Sequence, residues 1–140
     1  MTTHATGTAV IDAPLTTIRD TLLAAPELPE WNPAFRCVTG PARATLDAAY
    51  ELEAIRGMRG TLTYPEIQEH RIVLSWHVPM LSEHGAWELE ERGPGCTVVT
   101  HTVQRQGPLA IMLGHTLATL PTLRLDRLVE RATSPQPRRA

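Results

Sequence analysis

Residues 96–132 read CTVVTHTVQRQGPLAIMLGHTLATLPTLRLDRLVERA, and their apolar repeat changes once, at Gly107-Pro108. Before that point Val99, His101 and Val103 alternate with Thr100 and Thr102, the two-residue period of a strand. After it Leu109, Met112, Leu113, Leu117 and Leu120 share one stripe at helical spacing, continued by Leu125, Leu128, Val129 and Ala132. Pro121 lies inside this stripe and predicts a kink or a split. Arg124, Arg127 and Arg131, with Asp126 and Glu130, are assigned to the solvated face of the helix. The stripe is the longest apolar surface in the chain, so helix 108–132 is expected to close the core.

Upstream, segments 47–55, 60–67, 71–78 and 83–90 also read as strands, and 96–106 completes the series. The links between them, such as Gly93-Pro94-Gly95, are short, and consecutive antiparallel hairpins are the simplest connection. Nearer the start, 6–11 reads as a short strand. Leu15, Ile18, Leu22 and Leu23 predict a helix over 14–24, with Pro14 at its start where a missing N–H costs nothing. Three prolines in PELPEWNP, 26–33, leave room for one helical turn at most. The order is strand, helix, broken turn, long antiparallel sheet, long helix, which is an α+β layout. One domain over 1–132 and a frayed polar tail over 133–140 are expected.

At 140 residues the chain is long enough to bury a core without staples. A net charge of −2 leaves no basic excess to follow a phosphate backbone, so no nucleic-acid partner is expected. Cys37 and Cys96 form neither a disulfide framework nor a CxxC motif. No apolar run approaches the ~18 residues of a membrane span, and the first residues lack the pattern of a signal peptide. A cytoplasmic protein is expected, monomer or homodimer, without cofactor or metal. His77 and His84 are read as a solvated surface pair with no third zinc ligand nearby. No nucleophile elbow, P-loop or dinucleotide fingerprint occurs.

Several short stretches together resemble the START-like (SRPBCC) superfamily, the helix-grip fold, and its polyketide cyclase/dehydrase-like branch most. They are Ile11-Asp12-Ala13-Pro14 leading into Ile18 and Leu22, then Trp31-Asn32-Pro33, Leu74-Ser75-Trp76 and Trp87-Glu88-Leu89. Gly95 to His101 and the amphipathic C-terminal helix complete the set, which spans about 10–132. The resemblance implies a curved antiparallel sheet wrapped around the long C-terminal helix, with a hydrophobic ligand held between them. A cavity on the order of 300–1,000 Å3 is expected for such a ligand. By analogy with the aromatase/cyclases of that superfamily, Arg56, Tyr50 and Tyr64 are candidates to bind and protonate keto oxygens.

Strand pairing selects the residues that face the interior. Setting Leu74 opposite Trp87 and Ile72 opposite Leu89 gives one apolar face, with Arg71 beside Glu90 and His77 beside His84 on the other. Pairing Trp87 with His101 and Leu89 with Val99 continues that face. Pairing Leu52 with Tyr64 turns Leu52, Ala54, Leu62 and Tyr64 inward, and Pro65 marks a place for a bulge. His101 by this register, and Tyr64 and Arg56, the latter near the hairpin tip, by the resemblance alone, are the candidate catalytic residues. Tyr50, Leu74, Trp76, Trp87, Val103 and Met112 are the candidate ligand contacts. His101, next to an indole and between valines, is expected to be neutral and able both to donate and to accept. Arg105 shares the inward parity but is read as a strand-end residue at the rim, and Trp31-Asn32-Pro33 as structural. Three functions fit this reading: cyclisation or dehydration of a polyketide-like substrate, a lipid or metabolite carrier or sensor, and an interaction protein with a vestigial cavity.

Overall fold

A computed structural model describes residues 2–46 and 48–133, and the remainder of the expected tail, 134–140, lies outside the described residues. Strand β1 (Thr2–Ile11) leads into helix α1 (Leu15–Leu23) and a six-residue 3-10 segment, Ala25–Glu30. Pro26 and Pro29 lie in that segment, which is the shortened helix expected of a proline-broken stretch. Strands β2 (Phe35–Thr39), β3 (Ala49–Ala54), β4 (Arg59–Ile67), β5 (Arg71–Val78), β6 (Leu81–Glu91) and β7 (Thr97–Gln106) follow. Helices α2 (Pro108–Met112), α3 (Gly114–Ala118) and α4 (Leu120–Thr133) end the described chain. Thr133 is thus the last residue of a helix rather than the first of a tail.

The seven strands form one antiparallel sheet in the order β1-β7-β6-β5-β4-β3-β2. The first strand closes on the last, and α1 with the 3-10 segment carries the chain across to β2 at the opposite edge. The inner side is lined by α1 residues Leu15, Ile18 and Leu22, by Leu117 of α3 and by Leu125 and Leu128 of α4, all buried. This is the helix-grip arrangement, with α4 packed against β1 and β7.

Register differs from expectation in two hairpins. Leu74 pairs with Gly85 and Ile72 with Trp87, a shift of two residues, and Leu52 pairs with Gly60, a shift of four. Both shifts are even, so every side chain keeps its face, because facing repeats every second residue. The outer partners do change. Arg71 sits opposite Glu88, and His77 opposite Ser82, so His77 and His84 are not a cross-strand pair. The irregularity at Pro65 falls between β4 and β5, between Thr63 and Glu66, while β3–β4 runs regularly. Trp87 pairs with His101 as predicted.

The C-terminal helix breaks earlier than Pro121. Turns at Leu113 and Thr119 divide it, and Pro121 falls in the first turn of α4, where its missing N–H removes no helical bond. Gly107, with φ 108°, makes the sharp exit from β7. A Cβ there would lie 2.3 Å from the carbonyl oxygen of Met80, so this turn requires glycine. The Leu109 N–H donates to the same Met80 oxygen at 3.1 Å and ties α2 to the β5–β6 turn.

Candidate functional site

Four ionisable side chains meet on the concave face beneath the start of α4. Glu83 of β6, His101 and Arg105 of β7 and Arg124 of α4 are 1%, 1%, 2% and 2% exposed. Strand parity delivers the first three: Glu83 shares its face with Trp87 and Leu89, and His101 and Arg105 share theirs with Val99 and Val103. Arg124 arrives by helical spacing, four residues after Leu120 and four before Leu128, both buried. Its placement on the solvated face is therefore corrected, as is the rim position expected for Arg105.

Glu83 is the hub. Its carboxylate accepts two bonds from Arg124, Nη1 to Oε1 at 2.5 Å and Nη2 to Oε2 at 2.8 Å. It accepts a third from Arg105 Nη2 at 3.3 Å and a fourth from the Trp76 indole N–H at 2.5 Å. Burial alone would raise the Glu83 pKa. The Arg124 charge and hydrogen bonds, helped by Arg105, outweigh that and hold it down at about 2. Arg124 Nε also donates to Asn32 Oδ1 at 3.1 Å, and that oxygen accepts the Ala34 N–H as well. Asn32 thus satisfies its own turn and in addition anchors α4.

His101 is positioned on three sides. Its Nδ1 lies 3.1 Å from the Ala86 carbonyl, which only accepts, so Nδ1 carries the proton. Nε2 then accepts from Arg124 Nη1 at 3.1 Å. The ring stacks on Trp87 at 3.7 Å between centroids, and Trp31 meets Trp87 edge-on at 5.7 Å. Gly85 leaves the ring its space, since a Cβ there would come within 3.2 Å of His101 Cε1. Burial first, and the Arg124 charge second, pull the imidazole pKa down to about 3, so it is neutral near pH 7.

The other candidates are dispersed. Leu74, Trp76 and Trp87 border the cluster, and Val103 is buried two residues from His101. Tyr64 and Tyr50 lie elsewhere on the concave face, in edge contact with each other, and their hydroxyls donate to the backbone oxygens of Leu22 and Pro41. Burial raises both phenol pKa values. Arg56 is exposed in the β3–β4 connection with φ 62°, and Met112 is 74% exposed on α2, so neither reaches the interior. A tip position and a broken helix account for these two corrections. Glu83, Arg124 and Asn32 were not among the expected site residues, although the parity and spacing given above mark the first two.

No ligand-sized space opens around this cluster. The space among Asn32, Phe35, Leu74, Trp76, Glu83, Trp87, His101 and Arg124 is about 10 Å3, on the scale of one water molecule. A wider groove of about 240 Å3 opens between α1 and α4, bordered by Thr17, Asp20, Thr21 and Trp31. Among the described residues no group of three His, Cys, Asp or Glu side chains is placed to hold a metal ion, and no helix is long and apolar enough to cross a membrane.

No protein-family model and no curated protein sequence matches the chain. Solved structures do. An aromatase/cyclase from Streptomyces superposes with a TM-score of 0.74 at 14% identity, covering 94% of each chain. A START superfamily protein from Mycobacterium smegmatis gives 0.70 at 18% identity, covering 92% of this chain and 96% of that one. Truncated norcoclaurine synthase from Thalictrum flavum gives 0.71 at 12% identity, covering 97% and 96%. The chain therefore has the START-like fold, and at these identities the likeness reaches no further than the fold.

Proposed function

We propose that this protein binds a hydrophobic small molecule bearing oxygen groups, between the sheet and its C-terminal helices. The observation that carries the reading is the Glu83–Arg105–Arg124–His101 cluster. Burying each ion costs several kcal/mol, and apolar side chains of similar volume commonly stabilise a core as well or better. Charges gathered under the helix of a ligand-binding fold are better explained by a molecule they recognise. The ligand enters by displacing α2 and α3, two five-residue helices that rest on the core through Ala110 and Leu117, the half-buried Leu109 and Leu113, and the bond to Met80.

Binding without acid–base chemistry fits the cluster best. Glu83 is kept ionised by four donated hydrogen bonds, and the His101 lone pair is already engaged by Arg124. A proton acceptor of useful strength at neutral pH is not on offer. Cyclisation or dehydration of a polyketide-like chain is the second reading. It is favoured by the likeness to an aromatase/cyclase and by arginine donors able to stabilise an enolate oxygen. Native mass spectrometry of the purified protein tests binding directly. A bound small molecule is expected, and titration with flat oxygenated aromatics should saturably change the fluorescence of Trp31, Trp76 and Trp87. A protein that carries nothing and takes up none of these compounds favours an interaction protein with a vestigial cavity.

A further inference from the structure

The charges of the buried cluster do not balance. Arg105 and Arg124 are cations, Glu83 is the one carboxylate buried with them among the described residues, and His101 is neutral by its hydrogen bonds. The interior therefore holds one positive charge more than it neutralises. The surplus can be located. Arg124 spends its guanidinium on Glu83, Asn32 and His101 through four bonds. Arg105 makes one, the 3.3 Å bond to Glu83, and its buried Nε–H has no partner. A guanidinium offers five N–H donors, so Arg105 is both the poorly neutralised and the poorly satisfied member. It sits two residues before the Gly107 turn, on the strand that α2 packs against.

We propose that the polar end of the ligand is a monovalent oxyanion, a carboxylate or an acidic phenol, received by Arg105 beneath α2 and α3 with its apolar body toward Trp76 and Trp87. This rests on the binding reading above and adds to it the charge of the ligand. An oxyanion supplies both missing elements at once: a compensating charge and acceptors for the unused donors of Arg105. A neutral ketone or alcohol would supply acceptors and leave the surplus charge in the core. Glu83 touches both arginines, and what directs an anion to Arg105 is that Arg124 already makes four bonds while the Arg105 Nε–H makes none.

The test is isothermal titration of the full chain at pH 7 with 2-naphthoate and with its neutral counterpart, 2-naphthamide. The acid is expected to bind at least about tenfold tighter. Arg105→Gln should bring the two affinities together by weakening the acid alone, and Arg105→Lys should keep the preference; circular dichroism checks that both variants fold. If Arg105→Gln does not fold, the comparison of acid and amide on the natural chain still decides. Equal affinities overturn the anion assignment and leave the binding reading standing. A preference for the acid that survives in Arg105→Gln overturns the assignment to Arg105. No binding of either compound overturns both readings.

Discussion

Around α1 the concave face is held by Leu15, Ile18, Leu22, Leu62 and the two tyrosines, whose hydroxyls are spent on backbone carbonyls. Around the first turns of α4 the same face is held by Glu83, Arg105, Arg124, His101 and Asn32. Both regions are equally dry, yet they differ in what a substitution does. In the apolar region the loss scales with the volume removed. In the ionic region, removing one partner strands another, so the loss exceeds the net worth of the contact, and removing all partners together costs far less.

The largest expected effect follows from that asymmetry. Arg124→Met should cost about 3–5 kcal/mol in urea melts by leaving Glu83 with the Trp76 indole and the longer Arg105 bond. The triple change Glu83→Met, Arg105→Leu, Arg124→Leu should recover most or all of that loss, whereas a triple variant weaker than Arg124→Met would break the comparison. In the apolar region Leu128→Ala should cost about 2–5 kcal/mol, and no second substitution nearby should restore it except by refilling the space.

Acid separates the regions next. Glu83 and His101 both have folded pKa values depressed below their ordinary ones, 4.5 and 6.5, to about 2 and about 3. For both, stability is present above the ordinary value and is lost as pH falls toward the depressed one, because the unfolded chain takes up the proton first. The protein should weaken from about pH 6.5 downward through His101 and more steeply below about 4.5 as Glu83 joins, each by up to about 1.4 kcal/mol per pH unit. His101→Leu should remove the slope between about pH 6.5 and 4.5 and keep the lower one. A wild-type melting temperature flat from pH 7 to 5 would show the imidazole to be unperturbed. The smallest effect belongs to Tyr64→Phe, about 0.5–1.5 kcal/mol for the bond to Leu22, with no pH dependence in this range.

Six of the seven strands, α1 and the α+β layout were legible because each rests on a local period, while the five-residue β2, Phe35–Thr39, is too short to show one. The inner face survived two misjudged registers because both errors were even. For Glu83 and Arg124 charge points to solvent and position points to the interior. Glu83 lies in step with Trp87, and Arg124 in step with Leu120 and Leu128, so periodicity alone would have turned both inward. What periodicity does not contain is the partner that makes such burial tolerable, since Asn32 lies 92 residues and Glu83 41 residues from Arg124. The breaks at Leu113 and Thr119 escaped notice because the apolar stripe runs across them unbroken, and Met112 was assigned inward with it.

The pairing of β1 with β7 has a consequence for how this molecule comes into being. β1 is made early, but its one neighbour in the sheet follows it by roughly ninety to a hundred residues, with Gln106 finally reaching Thr2 across a separation of 104. Until β7 is synthesised, a ten-residue strand without Asp, Glu, Lys, Arg or Pro has no mate, and the two strands against which α4 packs are not yet paired. Long-range closure of this kind is slow to form, and an unmated strand is open to foreign edges while it waits. Closure of the sheet is therefore expected to come late in folding, with the docking of α4 after it.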